Sequence, residues 1–259
     1  MSAYLLSIVD KYKPRDLTPF QIYSIPKLKT DLTSWASSCF VEILDSGSRA
    51  KGTAISLASD VDYMVSLTSG CNQNSGGLES IFNSLYTSLN AKYSNCRRQN
   101  VSVRIKVSDL EIDITPARKQ PGSVNDHWIY LSKTGGRQQT NIKRHISDVS
   151  TSGRLKEIML CKIWRERHGL DFPSIYLEYL LINHVLLYRS KGDSYLESNF
   201  AHILREFSKD VGNPLFSRVI DPANSSNILS DLLTTAEKNR IVSIAKKSDL
   251  ATNWGLVVW

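Results

Sequence analysis

Two aspartates at the start of an apolar segment constrain the fold of this chain more than any other feature. Asp60 and Asp62 stand two residues apart where the run 61–67 begins. Side chains alternate along a strand, so both carboxylates leave one face while Val61 and Tyr63 leave the other. Two neighbouring carboxylates repel unless a cation lies between them, and a hard divalent ion such as Mg²⁺ suits that position. The segment therefore predicts a half-buried strand with a metal site on its polar face.

A second segment further along the chain repeats this arrangement. Glu111, Asp113 and Thr115 alternate with Ile112 and Ile114, which are expected to face a core. If the two strands are neighbours in one sheet, Asp113 becomes the third carboxylate of the cluster. Three carboxylates fit a two-metal phosphoryl-transfer site, in which one metal activates the attacking hydroxyl and the other holds the triphosphate and the leaving group.

A turn lies upstream of these carboxylates, between the strand predicted over 40–45 and the apolar run. Gly47 allows backbone N–H groups to approach phosphate oxygens, and the Ser48 hydroxyl is a further donor. The chain has no GxxxxGK[ST] sequence, which excludes a P-loop. A DxD pair, a Gly-Ser pair or a hairpin aspartate is usually a turn or surface feature when it occurs alone. Their ordered combination predicts a functional site.

The remaining periodicity divides the chain into a mixed half and a helical half. The patterns predict helices over 3–13, 18–37 and 78–93 and strands over 40–45, 61–67, 101–107 and 111–115. The segment 68–77 is predicted as a flexible loop, 116–125 as an irregular connection, and 132–145 as either a lid or a solvated linker. Helices follow over 154–168, 174–189, 196–210, 227–246 and 248–258.

The antiparallel hairpin and the helical second half favour an α+β fold over a doubly wound sheet. We expect a catalytic lobe with a mixed or antiparallel sheet over 1–150, including the N-terminal helix. A helical lobe that closes a nucleotide cleft is expected over 151–259.

Charge and cysteine usage narrow the partners and the compartment. A net charge of +7 favours polyanions such as nucleic acid or nucleotides, with general solubility as an equal alternative. The four cysteines form no CxxC pair, which predicts reduced thiols in a cytoplasmic protein without a zinc site. No apolar run approaches the roughly 20 residues that a membrane span needs. The charge at Asp10 comes too early for a secretory leader.

The motif residues resemble those of a known superfamily. The segments GSRAKGT (47–53) and SDVD (59–62) are similar to the signature of the polymerase-β-like nucleotidyltransferases. Within that superfamily the chain looks most like the group of oligoadenylate synthases, cGAS, bacterial cGAS/DncV-like nucleotidyltransferases and archaeal-type CCA-adding enzymes. The later segments LCKIWRERHG, SIYLEYLL and ATNWGLVVW resemble the family more weakly, and the likeness covers about residues 18–259.

This resemblance implies roles for individual residues. Asp60, Asp62 and Asp113 would bind Mg²⁺ or Mn²⁺, and Asp113 would also orient the attacking hydroxyl. The donor triphosphate would be held by four residues, Gly47, Ser48, Lys162 and Ser174. From the residues alone, Lys162 beside an apolar stripe can also extend its charge to solvent, and Ser174 can be a helix N-cap.

The implied function is a metal-dependent synthase that joins NTPs, with ATP expected among them, into a cyclic or short oligonucleotide messenger. Such an enzyme would act in antiviral signalling and could require an activating ligand or nucleic acid; a monomer is compatible with the sequence. The first alternative is an RNA 3′-terminal transferase that adds CCA or a tail. The second transfers a nucleotide to an antibiotic or a protein side chain. The intact carboxylate triad argues against a non-catalytic binding module.

Overall fold

The computed structural model describes residues 2–58, 60–72 and 76–259. Ser59 of the motif and the centre of the predicted loop, residues 73–75, lie outside the described residues. The chain forms two compact units. We call Arg15–Ala50 with Asp60–Ile146 the sheet unit, and Met1–Pro14, Lys51–Ser59 and Ser147–Trp259 the helical unit.

These units do not follow chain order. The N-terminal helix packs Leu5, Ile8 and Val9 into the core of the C-terminal helices, and the motif segment 51–59 is grouped with those helices too. The functional boundary predicted at residue 150 stays a prediction.

The sheet unit contains one mixed sheet with helices packed on it. Its strands are β1 Phe40–Ser46, β2 Val61–Leu67, β3 Arg97–Arg98, β4 Val103–Val107, β5 Leu110–Lys119, β6 His127–Leu131 and β7 Gly136–Thr140. Its helices are α2 Pro19–Ala36, α3 Gly47–Lys51, which ends in the helical unit, and α4 Gly77–Asn90. A further helix, α5 Ile142–Ser150, leads into the helical unit.

The strand order is β1-β2-β5-β4-β3, and β6 pairs with the far end of β5 and with β7. β2 runs parallel to β5, while its other neighbour β1 is antiparallel. One face of β2, β4 and β5 is apolar because alternate residues such as Val61, Ile105 and Ile112 belong to a core that α2 and α4 cover. The opposite face is polar where the carboxylates lie, at Asp62 and Asp113, which confirms the alternation predicted there. Further along the same face, Met64 and Ala117 are buried with Ile129 in a second, smaller apolar cluster.

Two sequence predictions for this unit are wrong. The connection expected over 116–125 is partly strand, since β5 continues to Lys119. The segment 132–145, expected as a lid or linker, forms β7 and the start of α5. β7 lies at the end of the sheet beyond β6, and Thr140 is its buried residue. Because the strand has little contact with a core, its sequence GRQQT shows no apolar alternation that would predict a strand.

The helical unit is built around a large apolar core. Its helices are α1 Ser2–Lys11, α6 Leu155–Arg167, α7 Ser174–Leu180, α8 Leu196–Ser208 and α9 Thr235–Asp249. A short hairpin of β8 Ile220–Asp221 and β9 Asn224–Ile228 precedes α9. Trp164, Tyr176 and Phe200 are fully buried in this core. Among the residues that the structure describes, no helix is both long and apolar enough to cross a membrane.

The helices predicted over 174–189, 227–246 and 248–258 are placed incorrectly. α7 ends at Leu180 and continues as a π-helical turn over Leu181–Val185. The segment 224–228 is a strand, and α9 begins only after Thr234, whose hydroxyl accepts from the backbone N–H of Glu237 in a capping box. The terminal segment contains one short 3₁₀ turn, Trp254–Leu256.

The prediction of four reduced cysteines is also wrong. Cys39 and Cys71 form a disulfide, with Cα atoms 5.4 Å apart, and Cys96 and Cys161 are free. The two partners are 32 residues apart in sequence. The pairing of β1 with β2 brings them together, because Cys39 precedes β1 and Cys71 follows the end of β2.

Candidate active site

The sheet register brings together the carboxylates that the sequence predicts as a cluster. In the parallel pairing of β2 with β5, Asp62 is aligned with Asp113. Asp60 directly precedes β2, and its carboxylate shares a partner with that of Asp113. The condition set by the sequence, that the two strands be neighbours, is therefore met.

The shared partner is Arg104, which lies opposite Asp113 in the antiparallel pairing of β4 with β5. Its Nε donates to Asp113 Oδ1 at 2.8 Å, and its Nη2 also contacts Asp113 Oδ2. The same Nη2 lies 2.8 Å from Asp60 Oδ2, and Nη1 lies 2.6 Å from Glu111 Oε2. The guanidinium thus joins three carboxylates on the polar face of the sheet.

Burial and charge act in opposite directions on this cluster. Burial raises the pKa of Asp60; the Arg104 guanidinium opposes that rise, and the neighbouring Asp113 carboxylate adds to it. The hydrogen bond to Asp113 raises the pKa of Arg104 above its ordinary value, and burial opposes that rise. Arg104 therefore stays charged at the centre of this cluster.

The donor chemistry of Asp60, Asp62 and Asp113 fits a hard divalent cation, because carboxylate oxygens are the ligands that Mg²⁺ and Mn²⁺ prefer. In the conformation described for residues 2–58, 60–72 and 76–259, no three His, Cys, Asp or Glu side chains are arranged to hold a metal ion. Arg104 contacts two of these three carboxylates. The residue types therefore fit a divalent metal chemically.

Gly47 lies directly against this cluster. It begins α3 with φ +66°, and a Cβ built on it would lie 1.8 Å from Asp62 Oδ2. Only glycine permits this approach, both because its φ is in the left-handed region and because no side chain fits. The Gly-Ser turn and the DxD pair, which the sequence suggests act together, are thus in contact.

The helical unit holds the other two predicted phosphate-binding residues. Lys162 on α6 is 2 % exposed, and its Nζ donates to Glu178 Oε1 at 2.7 Å and to Thr53 Oγ1 at 2.8 Å. Lys51 Nζ lies 2.8 Å from Glu178 Oε2. We call these four residues, Lys51, Thr53, Lys162 and Glu178, the buried ion cluster.

Electrostatics in the buried ion cluster favour the charged form of Glu178. Burial pushes the pKa of Glu178 upward, but Lys51 and Lys162 outweigh this effect and hold it below its ordinary value. Burial lowers the pKa of Lys162, against the attraction of Glu178. The cluster attaches the last residue of α3 and the segment that follows it to α6 and α7.

Ser174 is the first residue of α7, as its predicted place at a helix start requires. Its hydroxyl accepts a hydrogen bond of 3.0 Å from Arg165 Nη1. The roles of Lys162 and Ser174 toward a triphosphate stay predictions.

Sequence reasoning missed Arg104 and Glu178, although each left a signal. In VRIKV, Arg104 and Lys106 alternate with apolar residues, which places them on the face of Asp113 once the hairpin is recognised. Glu178 is a single carboxylate in the apolar run SIYLEYLL, and such a residue requires a buried cation.

Comparison with known proteins agrees with this architecture. No family model matches the chain. The CBASS oligonucleotide cyclase CdnC of Escherichia coli (strain KTE188) is 25 % identical over 244 residues, which span 83 % of this chain and 77 % of that protein.

Two solved structures resemble the whole chain. The CdnC:HORMA-deltaN complex of E. coli MS115-1 has a TM-score of 0.69 at 18 % identity and covers 99 % of this chain and 94 % of that one. The CD-NTase CdnG of Bradyrhizobium diazoefficiens, in complex with GTP, has a TM-score of 0.73 at 13 % identity, covering 95 % and 89 %. The chain therefore has the fold of these bacterial nucleotidyltransferases, and both the predicted resemblance and the α+β fold are confirmed.

Proposed function

We propose that this chain is a metal-dependent nucleotidyltransferase that joins NTPs into a cyclic or short linear oligonucleotide messenger for antiviral signalling. The observation that carries the proposal is the register of β2 and β5, which aligns Asp62 with Asp113 while the Gly47 backbone lies against Asp62. The curated relative is named an oligonucleotide cyclase, and this supports a nucleotide rather than an RNA end as the acceptor.

Each site residue then has a role in the reaction. Asp60, Asp62 and Asp113 would hold Mg²⁺ or Mn²⁺, which would supply charge neutralisation at the transferred phosphoryl group. Asp113 would orient the attacking hydroxyl and accept its proton. Gly47 and Ser48 would bind the donor triphosphate, whose pyrophosphate leaves.

Lys162 and Ser174 are proposed as further contacts to the triphosphate. Lys162 would have to exchange one of its two present partners, Glu178 or Thr53, for a phosphate oxygen.

The partners proposed are NTPs, with ATP among them, and an activator. The solved CdnC is in complex with HORMA-deltaN, and this supports a protein as one class of activator for this chain. A cytoplasmic location is part of the same proposal, because the NTP substrates are found there.

The test is incubation of the purified protein with α-labelled ATP, GTP, CTP and UTP and Mg²⁺ or Mn²⁺. Products are treated with phosphatase and separated, and the Asp60→Ala/Asp62→Ala double variant is the control. We expect a small phosphatase-resistant product that needs no added RNA and is absent with the double variant. Label that enters only added tRNA would identify a terminal transferase and contradict the proposal.

Replacement of Gly47 by alanine is expected to lower product formation by about a hundredfold or more, the scale that a misplacement of about 1 Å produces at an active site. The new Cβ would lie 1.8 Å from Asp62 Oδ2, so either the carboxylate or the turn must shift. The initial rate of the assay above, at saturating Mg²⁺, measures the effect.

Gly52→Ala is the matched control for this variant. Gly52 has a similar φ of +74°, but its Cβ would meet the two methyl groups of Leu155 at 3.5 and 4.0 Å, which are ordinary contacts. The two variants share the backbone strain and differ in the contact with Asp62. Equal losses of activity would show that strain, rather than the position of Asp62, causes the defect.

A further inference from the structure

The guanidinium of Arg104 occupies the position between carboxylates that a metal-dependent reaction needs for a cation. Its Nη2 lies within hydrogen-bond distance of both Asp60 and Asp113. One carboxylate directly precedes β2 and the other lies on β5, and their mutual repulsion is relieved by whichever cation lies between them.

This contact is built into the sheet. The register of β4 against β5 places Arg104 opposite Asp113, and Val103 and Ile105 on either side of it are buried in the core. The strand therefore fixes the direction of the Arg104 side chain, of which only 20 % is exposed. Contacts from Nε and both terminal nitrogens reach carboxylate oxygens.

We propose that Arg104 is a resident counter-cation that a divalent metal must displace before it can bind Asp60 and Asp113. The inference rests on the proposed function, since it assigns the metal to these carboxylates. Arg104 holds the carboxylates together in the metal-free protein and lowers the affinity of the site for metal. Metal binding and the release of Arg104 are then one equilibrium.

The structure provides room for the released side chain. A cavity of about 370 Å³ adjoins the cluster and is lined by Arg104 itself together with Arg97, Lys106 and Glu111. Nη1 of Arg104 already lies 2.6 Å from a carboxylate oxygen of Glu111. By keeping this contact, Arg104 can turn toward the cavity and stay paired with a carboxylate after it leaves Asp60 and Asp113.

The first test measures Mn²⁺ affinity by electron paramagnetic resonance in the absence of nucleotide. Arg104→Gln is expected to bind Mn²⁺ about tenfold or more tightly, because the metal no longer competes with charge-assisted hydrogen bonds. Arg97→Gln is the control: it removes an equal charge nearby, but Arg97 contacts Glu111 rather than Asp60 or Asp113. An equal gain in Mn²⁺ affinity for both variants would show that the loss of any nearby positive charge causes the effect, and it would overturn the proposal.

A second measurement uses the unaltered protein, so it does not depend on how well a variant folds. The Nε–H signal of Arg104 is assigned in a ¹H–¹⁵N spectrum by its loss in Arg104→Lys. Titration with Mg²⁺ is expected to shift this signal along with metal binding and to leave that of Arg97 nearly unchanged. A saturating Mg²⁺ titration that does not move the Arg104 signal would contradict displacement.

These readouts separate the two proposals. If metal affinity depends on Arg104 but no product forms from NTPs, the result supports the displacement of Arg104 and contradicts the proposed synthase activity. Product formation with equal Mn²⁺ affinity in Arg104→Gln and the unaltered protein would leave the synthase standing and reject the role of Arg104.

Discussion

Replacing Asp62 with asparagine is expected to reduce product formation by about a thousandfold or more, since a metal contributes several kcal/mol to the transition state and each 1.4 kcal/mol is about tenfold in rate. Asparagine keeps the size of the side chain and removes its charge. Asp62 is aligned with Asp113 and lies against the Gly47 turn. The measurement is the rate of product formation over a range of Mg²⁺ concentrations.

Asp45→Asn is the matched control for this variant. Asp45 lies on the neighbouring strand β1, opposite Tyr63, and its side chain is 70 % exposed. The chemical change is identical, but Asp45 lies opposite a residue of the core face and is 3.9 Å from Lys29. We expect near-normal activity. A comparable loss in both variants would mean that charge anywhere near the turn matters and that Asp62 has no special position.

Replacing Glu178 with glutamine is expected to lower the free energy of unfolding by about 3–5 kcal/mol, the cost of removing one partner from a buried ion pair. Glu178 is fully buried and is the shared partner of Lys51 and Lys162. Without its charge, two ammonium groups would face each other in an apolar surrounding with only neutral acceptors, the glutamine amide oxygen and the Thr53 hydroxyl. Urea unfolding followed by circular dichroism measures the loss.

Glu166→Gln tests whether burial is the reason. Glu166 pairs with the adjacent Arg165 at 2.8 Å near the end of α6, but its side chain is 34 % exposed. A solvated pair of this kind contributes about 0–1 kcal/mol. If both variants shift the urea midpoint equally, the buried ion cluster is not a special source of stability.

Much of the site could be predicted from the sequence because it follows from strand alternation. Ile112 and Ile114 must face a core, which forces Asp113 to the other side, and Val61 and Tyr63 do the same for Asp62. The parallel pairing of β2 with β5 could not be predicted from the sequence, since α4, β3 and β4 come between them along the chain. Long-range register depends on tertiary packing, which local periodicity does not encode.

Other elements were missed because competing local signals were stronger. The run 227–246 contains helix-forming residues, but Thr234 and Glu237 mark the true start of α9 within it. Cys39 and Cys71 lack the short spacing that would have suggested a bond, and only the pairing of β1 with β2 makes them neighbours. Arg104 was overlooked because a basic residue on a predicted strand is ordinarily solvated, whereas its partners become visible only with the register.

The Cys39–Cys71 bond has a topological consequence. It closes residues 39–71 into a covalent ring, and Gly47, Ser48, Asp60 and Asp62 all lie inside it. Because the segment is held at both ends, it has fewer accessible conformations than an open chain of equal length. Reduction of the bond opens the ring, so the redox state of the surroundings sets the chain entropy of the segment that carries the turn and the paired aspartates.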